Sequence, residues 1–487
     1  MSAESSTVEL NRSFRRGFTL TFTADLLTKA LSAVTVVVLI RGLMVSAYAY
    51  TTLFLALAQF AGAAAGGGVR TRYLRLEAES LSRGTDREQQ HGQFLISLIK
   101  GTLLVAAFGV CALPLVGLLH LGSRFGAGSS LIVYAIAFAA GYGATELAIA
   151  HHQARRRFAA AGILTVVRAG ALLVAAVLIS LTDASVQLLS ISFVASMAVV
   201  GAATAAPIAK AAVGRGIPGG RVLRFEPEES WLSRVVRFEP EESWLSLYYL
   251  AAAGFAYVDV LVASALLDQK QVASFGAALR YLAIVIAAIP SLGAILRVRT
   301  AQADMIDSHE AQRVMILGWM RTAALPVAVS ALVLVALAPW AIPIIDGGRY
   351  PGSITVFQIF LATAASSYLA APAVSVMMAQ RRYRALALMF FVALIVNLLG
   401  DVLVARQFGV AGIAVVSSAV YVALDLAMTV TALRYAAPGG SGSILSKRAR
   451  RAALRRALHI PGRAQILQIT AASLIAVALA AAISHAF

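Results

Sequence analysis

RFEPEESWLSLYYLAAAGFAYVDVLVASALL, residues 237–267, passes abruptly from an acidic, proline-containing segment into an apolar run whose one charged residue is Asp259. A run of about 20 apolar residues spans roughly 30 Å of hydrocarbon as a helix. The junction predicts where that helix begins. Pro240 suits the first turn, Glu241 and Glu242 suit its positive end, and Trp244 suits a membrane interface. RFEPEESWLS also stands at 224–233. Moving it from 224 to 237 turns a helix by about 220°, so the two copies cannot share a face. The first copy reads as a tandem insertion in a connector, where extra length carries only a logarithmic entropy cost.

Similar apolar runs recur along nearly the whole chain, near 18–42, 47–69, 94–120, 129–151, 159–181, 186–210, 247–267, 273–296, 319–344, 354–379, 385–405, 410–433 and 464–486. With 60% apolar and 13% charged residues, the 487-residue chain is predicted to be an all-α polytopic membrane protein. The net charge of +18 does not require a nucleic-acid partner, because the basic residues fall in alternate connectors. With a cytosolic amino terminus, the inward connectors hold Arg12, Arg15 and Arg16, then the basic residues of 70–87, 155–157, 210–237, 297–313, 381–384 and 434–463. The outward connectors hold Arg41, Arg124, Lys270, Arg349 and Arg406. Trp319 and Trp340, about 31 Å apart along a helix, are expected to mark the two membrane surfaces.

Two alignments argue for a duplicated six-helix unit. Tyr48, Leu55, Arg70 and Arg72 pair with Phe275, Leu282, Arg297 and Arg299, and Arg156, Arg157 and Phe158 pair with Arg381, Arg382 and Tyr383 at nearly the same offset. The expected organisation is a first lobe at 1–213, a cytosolic linker at 214–246, a second lobe at 247–436, a basic segment at 437–463 and a further helix at 464–487. The basic segment suits anionic headgroups, and equally it suits holding one end of the last helix in the cytosol.

Several candidate functional residues are excluded by type or spacing. Cys111 is the sole cysteine, so neither an intramolecular disulfide nor a thiolate metal site is available, and it is expected to fill the core. His151 and His152 are adjacent and about 100° apart on a helix, which suits an interface better than a metal. No HExxH or GxxxxGK[ST] occurs, and the GxGxxG of GRGIPG at 214–219 follows a long apolar helical run and not a strand, so neither ATP nor a nucleotide cofactor is expected. Short outward connectors argue against a membrane glycosyltransferase or polymerase, and no enzymatic activity is expected.

What remains are ionisable groups inside the spans, each costing about 2.5–3.5 kcal/mol at mid-bilayer and therefore needing a partner or a task. Lys29 has Asp25 one turn before it. Asp259 and Arg280 lie roughly 10–12 Å inside neighbouring spans, a depth that permits a salt bridge. Glu146 and Arg168 offer a further pairing, and Asn397, Asp401 and Asp425 are additional polar intruders. Cations at mid-depth in both halves suit an anionic, phosphate-bearing cargo.

The segments VSAYAYTTLFLALAQFAGAAAGGGVRTRYLRLEAE, HHQARRRFAAAGILTVVRAG, YVDVLVASALLDQKQVASFGAALRYLAIVIAAIPSLGAIL and MMAQRRYRALALMFFVALIVNLLGDVLVARQFGVAGIAVVSSAVY, taken in order, resemble successive blocks of polysaccharide flippases. These form the oligosaccharidyl-lipid branch of the multidrug/oligosaccharidyl-lipid/polysaccharide (MOP) exporter superfamily. The resemblance covers residues 15–436 and rests on the succession of blocks. It implies two six-helix lobes that rock about a cationic cavity and carry a polyprenyl-pyrophosphate-linked oligosaccharide to the outer leaflet of a bacterial inner membrane. A polysaccharide polymerase and glycosyltransferases are the implied neighbours in that process.

Related lipid II flippases have cavity arginines on their first and eighth helices. Arg280, in AALRYLA, matches the latter and Lys29 approximates one of the former. Thr35 and Ala63 stand where those relatives carry further arginines, which argues for a different cargo. The expected substrate-binding residues are thus Lys29, Arg280 and Arg168, with Asp25, Asp259, Glu146, Asp401 and Asp425 pairing charges or coupling to a proton or sodium gradient. The competing expectation is a cation-coupled drug exporter of the same superfamily, with Asp25 as its ion site.

Overall fold

The computed structural model describes residues 3–82, 87–126, 128–155, 157–182, 185–213, 240–286, 289, 296 and 309–436. The first RFEPEESWLS copy, Arg156, Arg297, Arg299, the basic segment 437–463 and the last apolar run lie outside the described residues. The protein is an all-α polytopic membrane protein. Its long helices are α1 (Ala3–Gly42), α2 (Val45–Ser82), α3 (Arg87–Leu118), α4 (Ser130–Ala154), α5 (Phe158–Ser180) and α6 (Val186–Val213). They continue with α7 (Pro240–Leu266), α8 (Gln269–Val285), α9 (His309–Asp346), α10 (Gly352–Ala379) and α11 (Tyr383–Tyr435). Ten helical segments among the described residues are long and apolar enough to cross a membrane. α7 begins at Pro240, where the acidic junction predicts it.

The helices divide into two units, residues 1–257 and 258–487, with the boundary inside α7. In the first unit α1 packs on α5, α2 on α3 and α4, and α4 on α6. The leading part of α7 also lies against α2. A Cβ at Gly67 would collide with the Tyr249 ring and one at Gly68 with Ser246, so the glycine run of α2 permits this approach. Tyr249 and Thr71 share a 3.1 Å hydrogen bond, and Tyr257 donates to Gln59 Oε1 at 2.6 Å.

In the second unit α10 packs against α8, α9 and α11. The 53-residue α11 is interrupted at Gly409, whose φ of 58° and ψ of −147° are not helical. Side chains far apart in sequence meet across this break. A Cβ at Gly400 would meet Val416, and one at Gly412 would meet Val404. Sixteen residues of straight helix would separate the first pair by about 24 Å, so α11 doubles back as two antiparallel arms. Glycine fits the positive φ that the reversal demands.

Three expectations are corrected. Trp340 is 75% exposed, but Trp319 is buried and donates Nε1–H to the Tyr368 carbonyl at 3.0 Å, so only Trp340 is placed to meet an interface. Cys111 is exposed on α3 and fills no core. His151 is buried beside Tyr73, with a 2.6 Å hydrogen bond between Tyr73 Oη and His151 Nδ1. Nearby, Arg155 Nε donates to the buried Glu77 at 2.9 Å, so the C-terminal ends of α2 and α4 are joined by a polar cluster.

Candidate functional site

In the first unit the mid-membrane charges are matched within the protein. Lys29 Nζ lies 2.8 Å from Asp25 Oδ2, the one-turn pairing that their spacing suggests. These side chains are 24% and 34% exposed, so the pair is only partly shielded and each partner offsets the other's charge within one helix. Glu146 on α4 bonds Arg168 on α5 through Oε1 and Arg70 on α2 through Oε2. The Arg168 guanidinium carbon also stands 4.5 Å from the centre of the Tyr142 ring. The Glu146–Arg168 pair is legible from depth along the sequence. Arg70 as a second partner is not, because its place at a span's inner end assigns it to the positive-inside bias.

The second unit differs. Asp259 does not meet Arg280, as equal depth had suggested. Instead it is buried with Asn397 and Asp401 from the first arm of α11 and Ser417 from the second. Asn397 Nδ2 donates to Asp259 Oδ1 at 2.5 Å, and the Asp401 carboxyl and Ser417 hydroxyl also lie against Asp259. Equal depth fixes position along two helices and says nothing of their rotation, so a depth match can leave two side chains facing apart. The missed signal is local: Asn397 and Asp401 are four residues apart and so share a helix face.

Among the described residues neither oxygen of Asp401 receives a hydrogen bond, nor does Asn397 Oδ1. Two carboxylates can bond each other only if one is protonated, and otherwise a cation must stand between them. Carboxylates, an amide oxygen and a hydroxyl form a hard, all-oxygen donor set. Among the described residues no group of three or more His, Cys, Asp or Glu could hold a metal, and this cluster has only two carboxylates. Its charge suits a proton or a small monovalent ion.

Asp425 is satisfied by two hydroxyls of α10, from Ser366 at 2.6 Å and Ser367 at 3.0 Å. Arg280 on α8 is half-buried and has no ion pair or hydrogen bond among the described residues. Of the three cations expected to meet substrate, it alone carries no acidic partner there.

No family model matches the chain, and no curated protein matches its sequence. Solved structures do match its fold. The lipid II flippase MurJ in an inward closed conformation superposes with a TM-score of 0.64 at 9% identity, over 95% of this chain and 98% of that one. The fold is that of the MOP transporters. An inward-facing multidrug resistance MATE family transporter of the MOP superfamily gives 0.62 at 14% identity, over 90% of this chain and 99% of that one. A MOP superfamily transporter from Pyrococcus furiosus, described as having a binding pocket of reverse polarity, gives 0.56 at 14% identity, over 90% and 94% of the two chains. The MOP fold is thus shared by proteins described as a lipid flippase and as multidrug transporters, and cargo has to be argued from the residues.

Proposed function

We propose that the protein is a flippase that moves a polyprenyl-pyrophosphate-linked oligosaccharide from the cytosolic to the outer leaflet of a bacterial inner membrane by alternating access, supplying cell-surface polysaccharide assembly. The observation that carries this reading is Arg280, a half-buried guanidinium with no acidic partner among the described residues, in a fold shared with a lipid flippase. An unneutralised arginine within a span attracts an anion, and guanidinium matches phosphate oxygens in a bidentate fashion. Lys29 is the second contact, exchanging Asp25 for the pyrophosphate when cargo enters. Arg168 is held by Glu146 and stacked on Tyr142, so in this reading it supports the cavity wall more than it grips cargo.

The coupling ion, a proton or sodium, is assigned to Asp259 and Asp401 with Asn397 and Ser417. Binding there relieves the repulsion between two buried carboxylates, so an ion gradient can bias the conformational equilibrium. The drug-exporter reading places its ion at Asp25, and the Lys29 ammonium 2.8 Å away weighs against it.

Reconstitution into vesicles with fluorescent lipid-linked oligosaccharides tests both readings, scoring leaflet exchange under imposed proton or sodium gradients. Gradient-dependent exchange that Arg280→Gln abolishes is the expected result. Efflux of lipophilic dyes that requires Asp25, with no exchange of the glycolipid, would replace this reading with the exporter.

A further inference from the structure

The first unit contains a partly open slot between α2, α3 and α4, whose space between atoms, open solvent included, is about 400 Å³. Its lining changes character along its length. Arg70, Ser97 and Glu146 stand at one level, and Val69, Leu98 and Leu147 adjoin them. The other end is set by Gly62, Val105 and Ala139. On each helix the two levels are seven or eight residues apart, so the slot is about 10–12 Å long. Gly101 and Gly143 line it between them. A cationic head joined to an apolar barrel has the polarity pattern of a phospholipid.

The charges at the head specify the ligand further. Glu146 is fully used, with one oxygen on Arg168 and the other on Arg70, so two guanidiniums share one carboxylate and the cluster keeps one surplus positive charge. The ion pair engages Nη1 of Arg70, while its Nε is shielded from solvent and has no acceptor among the described residues. A buried donor without an acceptor, in a positively charged group that borders a cavity, calls for an anionic oxygen from outside the protein.

We propose that this slot binds one anionic phospholipid of the surrounding bilayer, its phosphodiester on Arg70 and one acyl chain laid along the glycines of α2, α3 and α4. The site is separate from Arg280 and from the carboxylate cluster, and it does not depend on what the protein transports. It has a structural consequence. The occupied slot would brace the same stretch of α2 whose Gly67 and Gly68 receive Tyr249 and Ser246 of α7.

The glycines supply the test, because a Cβ at Gly101 or Gly143 meets no atom within 4 Å, so a larger side chain would fill the slot without a backbone clash. The full-length protein, purified in neutral detergent, is titrated with phosphatidylglycerol, phosphatidylcholine and inorganic phosphate, with native mass spectrometry reading the bound species. Saturable binding of one phosphatidylglycerol is expected, weakened about tenfold or more by Gly101→Leu, Gly143→Leu and Arg70→Gln. Gly117→Leu, on an exposed part of α3 outside the slot, is the control and should bind as wild type does. A photoactivatable acyl chain on phosphatidylglycerol should crosslink wild-type protein within 62–70 or 97–105, which keeps the test decisive if the leucine variants fail to fold. Equal binding of phosphatidylcholine, equal affinity for inorganic phosphate, leucine variants as tight as wild type, or crosslinks confined to other helices would each overturn the proposal.

Discussion

In the first unit Glu146 is held between Arg168 and Arg70, whereas in the second Asp259 and Asp401 meet with only an amide and a hydroxyl beside them. Both arrangements bury carboxylates within the span of the membrane, and they differ in whether the protein itself supplies the opposite charge. Where it does, the cluster can act as a fixed joint between helices. Where it does not, the proposed coupling ion would supply the missing charge, and its exchange is a requirement of any ion-coupled cycle.

Substitution should separate the two cases by the sign of the stability change. Glu146→Gln leaves Arg168 and Arg70 facing each other without their shared anion, and should cost about 3–5 kcal/mol, read as a large fall in the thermal midpoint. If the midpoint holds, Glu146 is no joint. Asp401→Asn should do the reverse, keeping or raising the midpoint because it removes like-charge repulsion. It should also slow gradient-driven leaflet exchange by about tenfold or more, equivalent to roughly 1.4 kcal/mol. A variant that loses stability and keeps its ion dependence would place the coupling ion elsewhere.

Asp425 is an intermediate case, an acid satisfied by hydroxyls. Ser366→Ala should destabilise by about 1–3 kcal/mol through the desolvated carboxylate, with ion dependence unchanged when exchange is measured across a range of sodium and pH. The smallest effect belongs to Asp25 and Lys29, a partly exposed pair one turn apart on a single helix. A double-mutant cycle with Asp25→Asn and Lys29→Gln should give a coupling of about 0.5 kcal/mol in thermal unfolding. A coupling several times larger would show that the pair is sealed from water and cannot readily exchange its partner for phosphate.

The sequence made the architecture legible because membrane insertion leaves one-dimensional marks. Apolar length gave the spans, alternate basic connectors gave the expected orientation, and the proline and glutamates before Trp244 marked where α7 starts. Pairs within a turn or at matched depth on adjoining spans were also accessible, as Asp25 with Lys29 and Glu146 with Arg168. What was lost is azimuth. Asp259 and Arg280 agree in depth and do not meet, because the rotation of each helix is set by packing that no single-span pattern records. Arg70 was hidden for a different reason: a basic residue near a cytosolic end has a sufficient explanation in topology, so its structural partnership leaves no further trace. His151 and Trp319 were placed at interfaces by residue type, yet each finds a buried hydrogen-bond partner, in Tyr73 and in the Tyr368 carbonyl.

The reversal at Gly409 constrains how an ion could leave. Asn397 and Asp401 hang from one arm of the hairpin and Ser417 from the other, and the arms interlock where Val416 fills the space over Gly400. Three of the four oxygen-bearing residues therefore ride on a single stiff clasp, with Asp259 the only member brought from a distant part of the chain. Opening such a pocket means withdrawing one jaw, and that jaw is the helix whose first turn was announced by the acidic junction at Pro240.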